Sequence, residues 1–209
     1  NQRFRIHMRY LFSNLPPVSW GRLIMPLAFI GSWTLLRGFS FAPPIAFVWS
    51  AVFAQFVQIW VVLPVTVRRH RSVFGRASQA TSWATCMIIG LLGIQVWWLD
   101  PMVTHRLVSF CCVSYAMLMW WGVKGDTMVR DRFVPVRQGR DLPEIFRTHL
   151  LKLYALMSVL VLAINETLVA TETAFHIRVV VLSIAPICLH YTFYVLLRQT
   201  CPRLDEEDA

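Results

Sequence analysis

Six apolar stretches, Leu23–Leu36, Pro44–Val67, Thr81–Leu99, Leu107–Val123, Leu150–Val169 and Ile177–Leu197, divide this chain, and basic loops fall between alternate pairs of them. A bilayer core about 30 Å thick is crossed by about 20 mostly apolar helical residues. Five of the six stretches meet or approach that length. None alternates with period 2, so the segments predict helices and not barrel strands. The expected fold is an all-α integral membrane protein with a six-transmembrane-helix bundle. Its expected parts are a basic amphipathic segment at 1–20, a membrane domain at 21–198 and an acidic tail at 199–209.

Composition agrees. The chain is 56% hydrophobic and 15% charged, with mean hydropathy +0.54, whereas ordinary globular domains are about 25% charged. The spans take up more than half of 209 residues, which leaves no room for a separate soluble catalytic domain. A net charge of +9 would suggest nucleic acid for a soluble protein. Here it reads instead as loops that set topology and meet anionic lipid head groups, with no nucleic-acid partner.

The distribution of those charges is the strongest signal after the spans themselves. Arg3, Arg5, Arg9 and Arg22 precede the first span, and Arg68, Arg69, Arg71 and Arg76 follow the second. Seven more basic residues run from Lys124 to Lys152, and Arg198 and Arg203 lie in the tail. That accounts for 17 of the 20; Arg37, Arg106 and Arg178 are the remainder. The positive-inside rule then puts both termini and the second and fourth loops in the cytoplasm, and the protein in the cell inner membrane. The first span is short, with fourteen residues between Arg22 and Arg37. Both arginines are placed to snorkel outward, and Pro26 lies near the helix start, where proline is tolerated. Upstream, Phe4, Met8, Leu11, Phe12 and Leu15 share a helical face with Arg5 and Arg9 off it, the pattern of a short interfacial helix.

Polar groups inside spans are the candidate sites, because they are expensive there. Glu166 and Asn165 near the end of the fifth span, with Gln55, Gln58 and Gln95, form a candidate substrate or ion pathway. The uncharged members of that set serve equally well as ties between helices. His176 and His190 lie fourteen residues apart on one helix, which puts them on one face about 21 Å apart along its axis. That spacing suits two stacked haems of b type, with His105 facing His176 and His149 facing His190 as second axial ligands. All but His190 lie at helix ends, where polar residues belong in any case. Leu189-His190-Tyr191-Thr192 resembles part of the motif of the MHYT sensor family, present once and with Leu for Met, and no property of that family is carried over. Pro186 should bend the last helix. Ser82, Cys86 and Gly90, with Gly93 nearby, form a small-residue stripe suited to close helix contact within the bundle or between protomers. Trp97, Trp98, Trp120 and Trp121 fall at span ends, as an interfacial belt requires.

Five cysteines without a CxxC give neither a disulfide framework nor a zinc site. No catalytic Ser-His or Cys-His arrangement, HExxH, GxSxG or phosphate loop occurs, so no enzyme class is indicated. Three classes of function fit these features. The first is a transport or channel-type protein acting as an oligomer. The second is an accessory subunit docking a larger membrane complex through its basic loops, with Arg68, Arg69, Arg71 and Arg76 meeting lipid or partner. The third is a haem-binding electron-transfer subunit.

The threading has a direct test. In a cysteine-free background, cysteines at Arg37 and Glu172 should react with an impermeant maleimide from outside the cell, and one at Ser72 only after the inner face is opened. Labelling of position 72 from outside would invert the topology.

Overall fold

The computed structural model describes residues 20–74, 79–125 and 144–200, with side chains described for 21, 23–61, 86–125 and 147–196. These residues form six helices and no strand: α1 Trp20–Gly38, α2 Pro43–Phe74, α3 Gln79–Trp98, α4 Pro101–Val123, α5 Glu144–Ala170 and α6 Phe175–Thr200. Four apolar stretches within them, Pro43–Val61, Pro101–Val123, Arg147–Ala170 and Phe175–Leu196, are long and apolar enough to cross a membrane. Among the residues with described side chains, Leu23–Gly38 and Cys86–Trp98 are shorter apolar helical stretches. The expected interfacial segment, Arg76, most of the fourth loop and the acidic tail lie outside the described residues.

The helix ends follow from local chemistry. Asp100 caps α4: its carboxylate accepts the backbone N–H of Met102 at 2.8 Å, and Pro101 takes the first helical position, where a missing N–H costs nothing. α1 ends with Phe41 N–H donating to the Leu36 carbonyl and Ser40 N–H to that of Arg37, with Ser40 at φ 62°. α5 ends in the same way: Thr173 donates to Leu168 and Glu172 to Val169, with Glu172 at φ 48°. Both are Schellman caps with a left-handed residue that is not glycine. α3 closes on the simpler single bond, Leu99 N–H to the Gln95 carbonyl at 3.0 Å, with Leu99 at φ 49°. The connections α1–α2, α3–α4 and α5–α6 are therefore tight turns.

α2 departs from the sequence expectation. The charge pattern places Arg68, Arg69 and Arg71 in a loop, but the helix runs on to Phe74. Arginine is a good helix former, so a basic run continues a helix as readily as it ends one. At 1.5 Å per residue the 32-residue helix is about 48 Å long, well beyond the thickness of a bilayer core.

The described chain divides into two compact units. One contains residues 20–108 and 165–184. Its core gathers Phe29, Phe47, Ala51, Ala54 and Val179, with Trp33, Phe175 and Leu182 packed against them. Phe47 is the centre of that core, 5.8 Å edge-on from Phe29 and 5.4 Å from Phe175. Ala46, Ser50 and Ala54, spaced by four on α2, are all buried. That stripe of small residues packs in the manner expected of membrane helices, and α1 packs along α2. The Ser50 hydroxyl bonds back to the Ala46 carbonyl at 2.6 Å and so brings no unmet polar group into the contact.

The other unit, residues 109–164 and 185–200, is built on Met119, Leu151 and Ala155, with Tyr115, Val123 and Tyr154 around them. Pro186 lies inside α6, which continues as helix on both sides of it.

Left-handed non-glycine caps carry strain, of order 1–2 kcal/mol per residue. Ser40→Gly and Glu172→Gly should each raise the unfolding free energy by about 0.5–1 kcal/mol, and Ser40→Val should lower it. Thermal unfolding in detergent measures the difference, with Gly38→Ala, at a right-handed helical position, as the control.

Candidate functional site

The densest polar cluster lies where α4 and α6 begin and α5 ends. α4 brings His105, α5 brings Asn165 and α6 brings Arg178, with exposures of only 1%, 0% and 8%. Arg178 Nη1 is 3.0 Å from His105 Nε2, and His105 Nδ1 is 2.9 Å from Asn165 Oδ1. Asn165 Nδ2 donates to the His105 backbone carbonyl at 3.0 Å.

These contacts determine the state of the ring. A guanidinium only donates, so His105 Nε2 must be the accepting lone pair. The proton of the neutral imidazole then sits on Nδ1 and is donated to Asn165 Oδ1. The amide completes the arrangement by turning its NH₂ to the carbonyl of the same histidine. Phe47 stacks on the ring at 4.9 Å and 24°, closing one face. Arg178 also donates through Nε to the Thr173 carbonyl, and its charge lies 5.0 Å from the centre of the Phe175 ring. At the exposed edge Arg106 forms an ion pair with Glu166 at 2.9 Å.

A second tie joins α2 to α3. Gln95 Nε2 donates to Gln55 Oε1 at 3.0 Å and Gln55 Nε2 returns a bond to Gln95 Oε1 at 3.3 Å. Gln58, one turn on, has its carbonyl oxygen enclosed and without a partner among the described residues.

Apart from Gln58, the expected pathway residues are thus brought into pairs. Gln55 meets Gln95, Asn165 meets His105, and Glu166 meets Arg106, so each has its hydrogen-bonding capacity turned toward another helix. The haem arrangement does not fit at His105, because both ring nitrogens are already bonded and none is left for iron. His176 and His149 are exposed. His190 stacks on Tyr154 at 6.4 Å and 12°, in a shallow apolar crevice with Met157, Phe193 and Tyr194. Among the described residues no three His, Cys, Asp or Glu side chains gather as a metal site.

The small-residue stripe on α3 faces outward. Cys86, Gly90 and Gly93 are exposed, and a Cβ added at either glycine would meet nothing within 4 Å. The side chain of Ser82 is outside those described, as are those of Arg68, Arg69 and Arg71. Trp97, Trp98, Trp120 and Trp121 are all exposed at helix ends. Cys111 and Cys188 are exposed, and no described cysteine is bridged.

Sequence reasoning misses Arg178, Arg106 and Phe47. The available signal is Arg178 itself: a cation in the first turn of an apolar helix opposes the helix dipole and needs a reason to be there.

Replacing His105 with Phe should keep the stacking on Phe47 while removing the acceptor for Arg178 and the donor for Asn165. The expected loss is about 2–4 kcal/mol. Combined with Asn165→Leu, the loss should fall short of the sum by about 1 kcal/mol, because both changes break the same link. Unfolding of the single and double variants in detergent measures the coupling.

No protein-family model, curated protein or solved structure matches the chain, so the geometry above is what bears on its function.

Proposed function

We propose that this protein is a six-span inner-membrane protein with cytoplasmic termini that serves as an accessory subunit, docking a larger membrane complex through its basic cytoplasmic segments. The observation that carries this reading is the length of α2. Its apolar run ends at Val67, yet the helix continues to Phe74 and holds Arg68, Arg69 and Arg71 in its last two turns. A helical, strongly basic projection is suited to meeting acidic partner surfaces or anionic head groups. The pairing of Gln55 with Gln95 and of Asn165 with His105 supports the same choice, since groups tied to each other across helices are poor stepping stones for a substrate.

A transport or channel-type oligomer is the second reading, favoured by the outward-facing Cys86, Gly90 and Gly93 on α3. Its pathway would then run between protomers, through a close helix contact.

The test is the size of the native particle. Membranes solubilised in a mild detergent should give the protein in a complex larger than its own multimers. Arg68→Gln/Arg69→Gln/Arg71→Gln should release it while leaving its thermal stability unchanged. A wild-type particle containing this chain alone defeats the docking reading. If Gly90→Leu breaks that particle into monomers, the oligomer takes its place.

A further inference from the structure

We propose that the ends of α4, α5 and α6 form a binding site for a phosphate group, with the Arg178 guanidinium as its anchor. The site is separate from the basic end of α2 and does not depend on the docking reading.

The charge on Arg178 is only partly balanced within the protein. Arg178 is buried, with only 8% of its surface exposed, and burying a cation is costly unless an anion answers it. The groups bonded to it or stacked against it are all neutral: the Thr173 carbonyl, the His105 lone pair and the face of Phe175. The ion pair among the described residues is Arg106 with Glu166, so that carboxylate is already committed. Glu172, on the neighbouring turn, is exposed; its carboxylate attracts the guanidinium through space but forms no ion pair with it.

The backbone adds charge of the same sign. Arg178 is the fourth residue of α6, and the first turn of that helix contains no acid. The positive end of a helix attracts anions and repels a guanidinium. Two positive features thus coincide with no fixed negative charge bonded to either.

The guanidinium also has donors to spare. Nε and Nη1 are bonded to Thr173 and His105. Nη2 has no protein partner among the described residues, and it is not among the fully enclosed unpaired atoms, so it reaches the surface. Two N–H bonds therefore face outward from a charge that the protein holds rigidly. A planar guanidinium of this kind matches the oxygens of a phosphate better than it matches a halide. The location suits the ligand: the apolar span of α6 begins at Phe175, which puts Arg178 about 4.5 Å inside that end by helical rise. The bond from Nε to the Thr173 carbonyl turns the guanidinium back toward that end, within reach of the head-group layer and of dissolved phosphate. The two sources present the same oxyanion.

The experiment uses the full chain, purified in phosphate-free detergent and depleted of lipid. Inorganic phosphate and, separately, phosphatidylglycerol in mixed micelles are titrated while thermal unfolding is followed. A saturable rise in Tm with phosphate alone shows that the free oxyanion suffices; a rise with the lipid alone assigns the head group. Arg178→Lys keeps the charge but replaces the fork with one compact ammonium, and half-saturation should weaken about tenfold. The site is refuted by no saturable rise from either ligand, by an equal rise from chloride at matched ionic strength, or by unchanged half-saturation in the lysine variant. Should that variant not fold, arginine-labelled wild-type protein gives the same decision. Phosphate or lipid should move the Arg178 Nε–H resonance and leave that of Arg37 in place, and an unmoved Arg178 signal refutes the site.

Discussion

The bond from Arg178 to His105 sets a series of obligations that four helices share. Because arginine only donates, the ring nitrogen it faces has to accept, and the imidazole has to be neutral with its proton on Nδ1. Asn165 must then present its carbonyl to that proton, which turns its NH₂ toward the backbone of α4. Phe47 of α2 lies flat on the same ring. A shift of any one helix along its axis would break at least one of these contacts. His105 and Asn165 are enclosed, so no water replaces a partner they lose and such a break is expensive. The rotational setting of α4, α5 and α6 at these ends is therefore specified by polar groups, while the apolar core around Phe47 supplies bulk without direction.

The helices are legible in the chain because the length of an apolar run is a one-dimensional signal. Apolar runs such as Leu150–Val169 fall inside a helix, and Asp100-Pro101 marks a helix start from two residues alone. The end of α2 is harder, because Arg68–Arg71 is equally polar as loop or as helix. The site is only half legible. Asn165, Glu166, Gln55 and Gln95 stand out as polar groups among apolar ones, but their partners are set by how helices rotate, which spacing within a single helix does not report. Position along the membrane normal pairs His105 with His176. The tertiary contacts instead give His105 to Asn165 and Arg178, residues 60 and 73 positions away in the chain.

Small residues show the same limit from another side. Both Ala46/Ser50/Ala54 on α2 and Cys86/Gly90/Gly93 on α3 carry the spacing of a close helix contact. Only the first is buried within the chain. The difference lies in the neighbours: α2 has α1 beside it and Phe29 to fill the space around Ala51 and Ala54. A stripe of small side chains shows that a partner is allowed to come close, and it takes a large side chain on the other helix to show that one does.

The three tight turns have a consequence for how the chain enters a bilayer. Residues 39–42, 99–100 and 171–174 are all that separates the helices of each pair. Under the proposed threading these are the segments that have to cross the hydrocarbon layer during synthesis. They hold two acidic residues, Asp100 and Glu172, and no basic one. Each pair can therefore insert as a closed hairpin, its turn already bonded to itself by the caps at Ser40, Leu99 and Glu172. Under that threading the long basic segments stay on the side where they were made, and what has to cross is ten turn residues together with the helix-end arginines Arg37, Arg106 and Arg178.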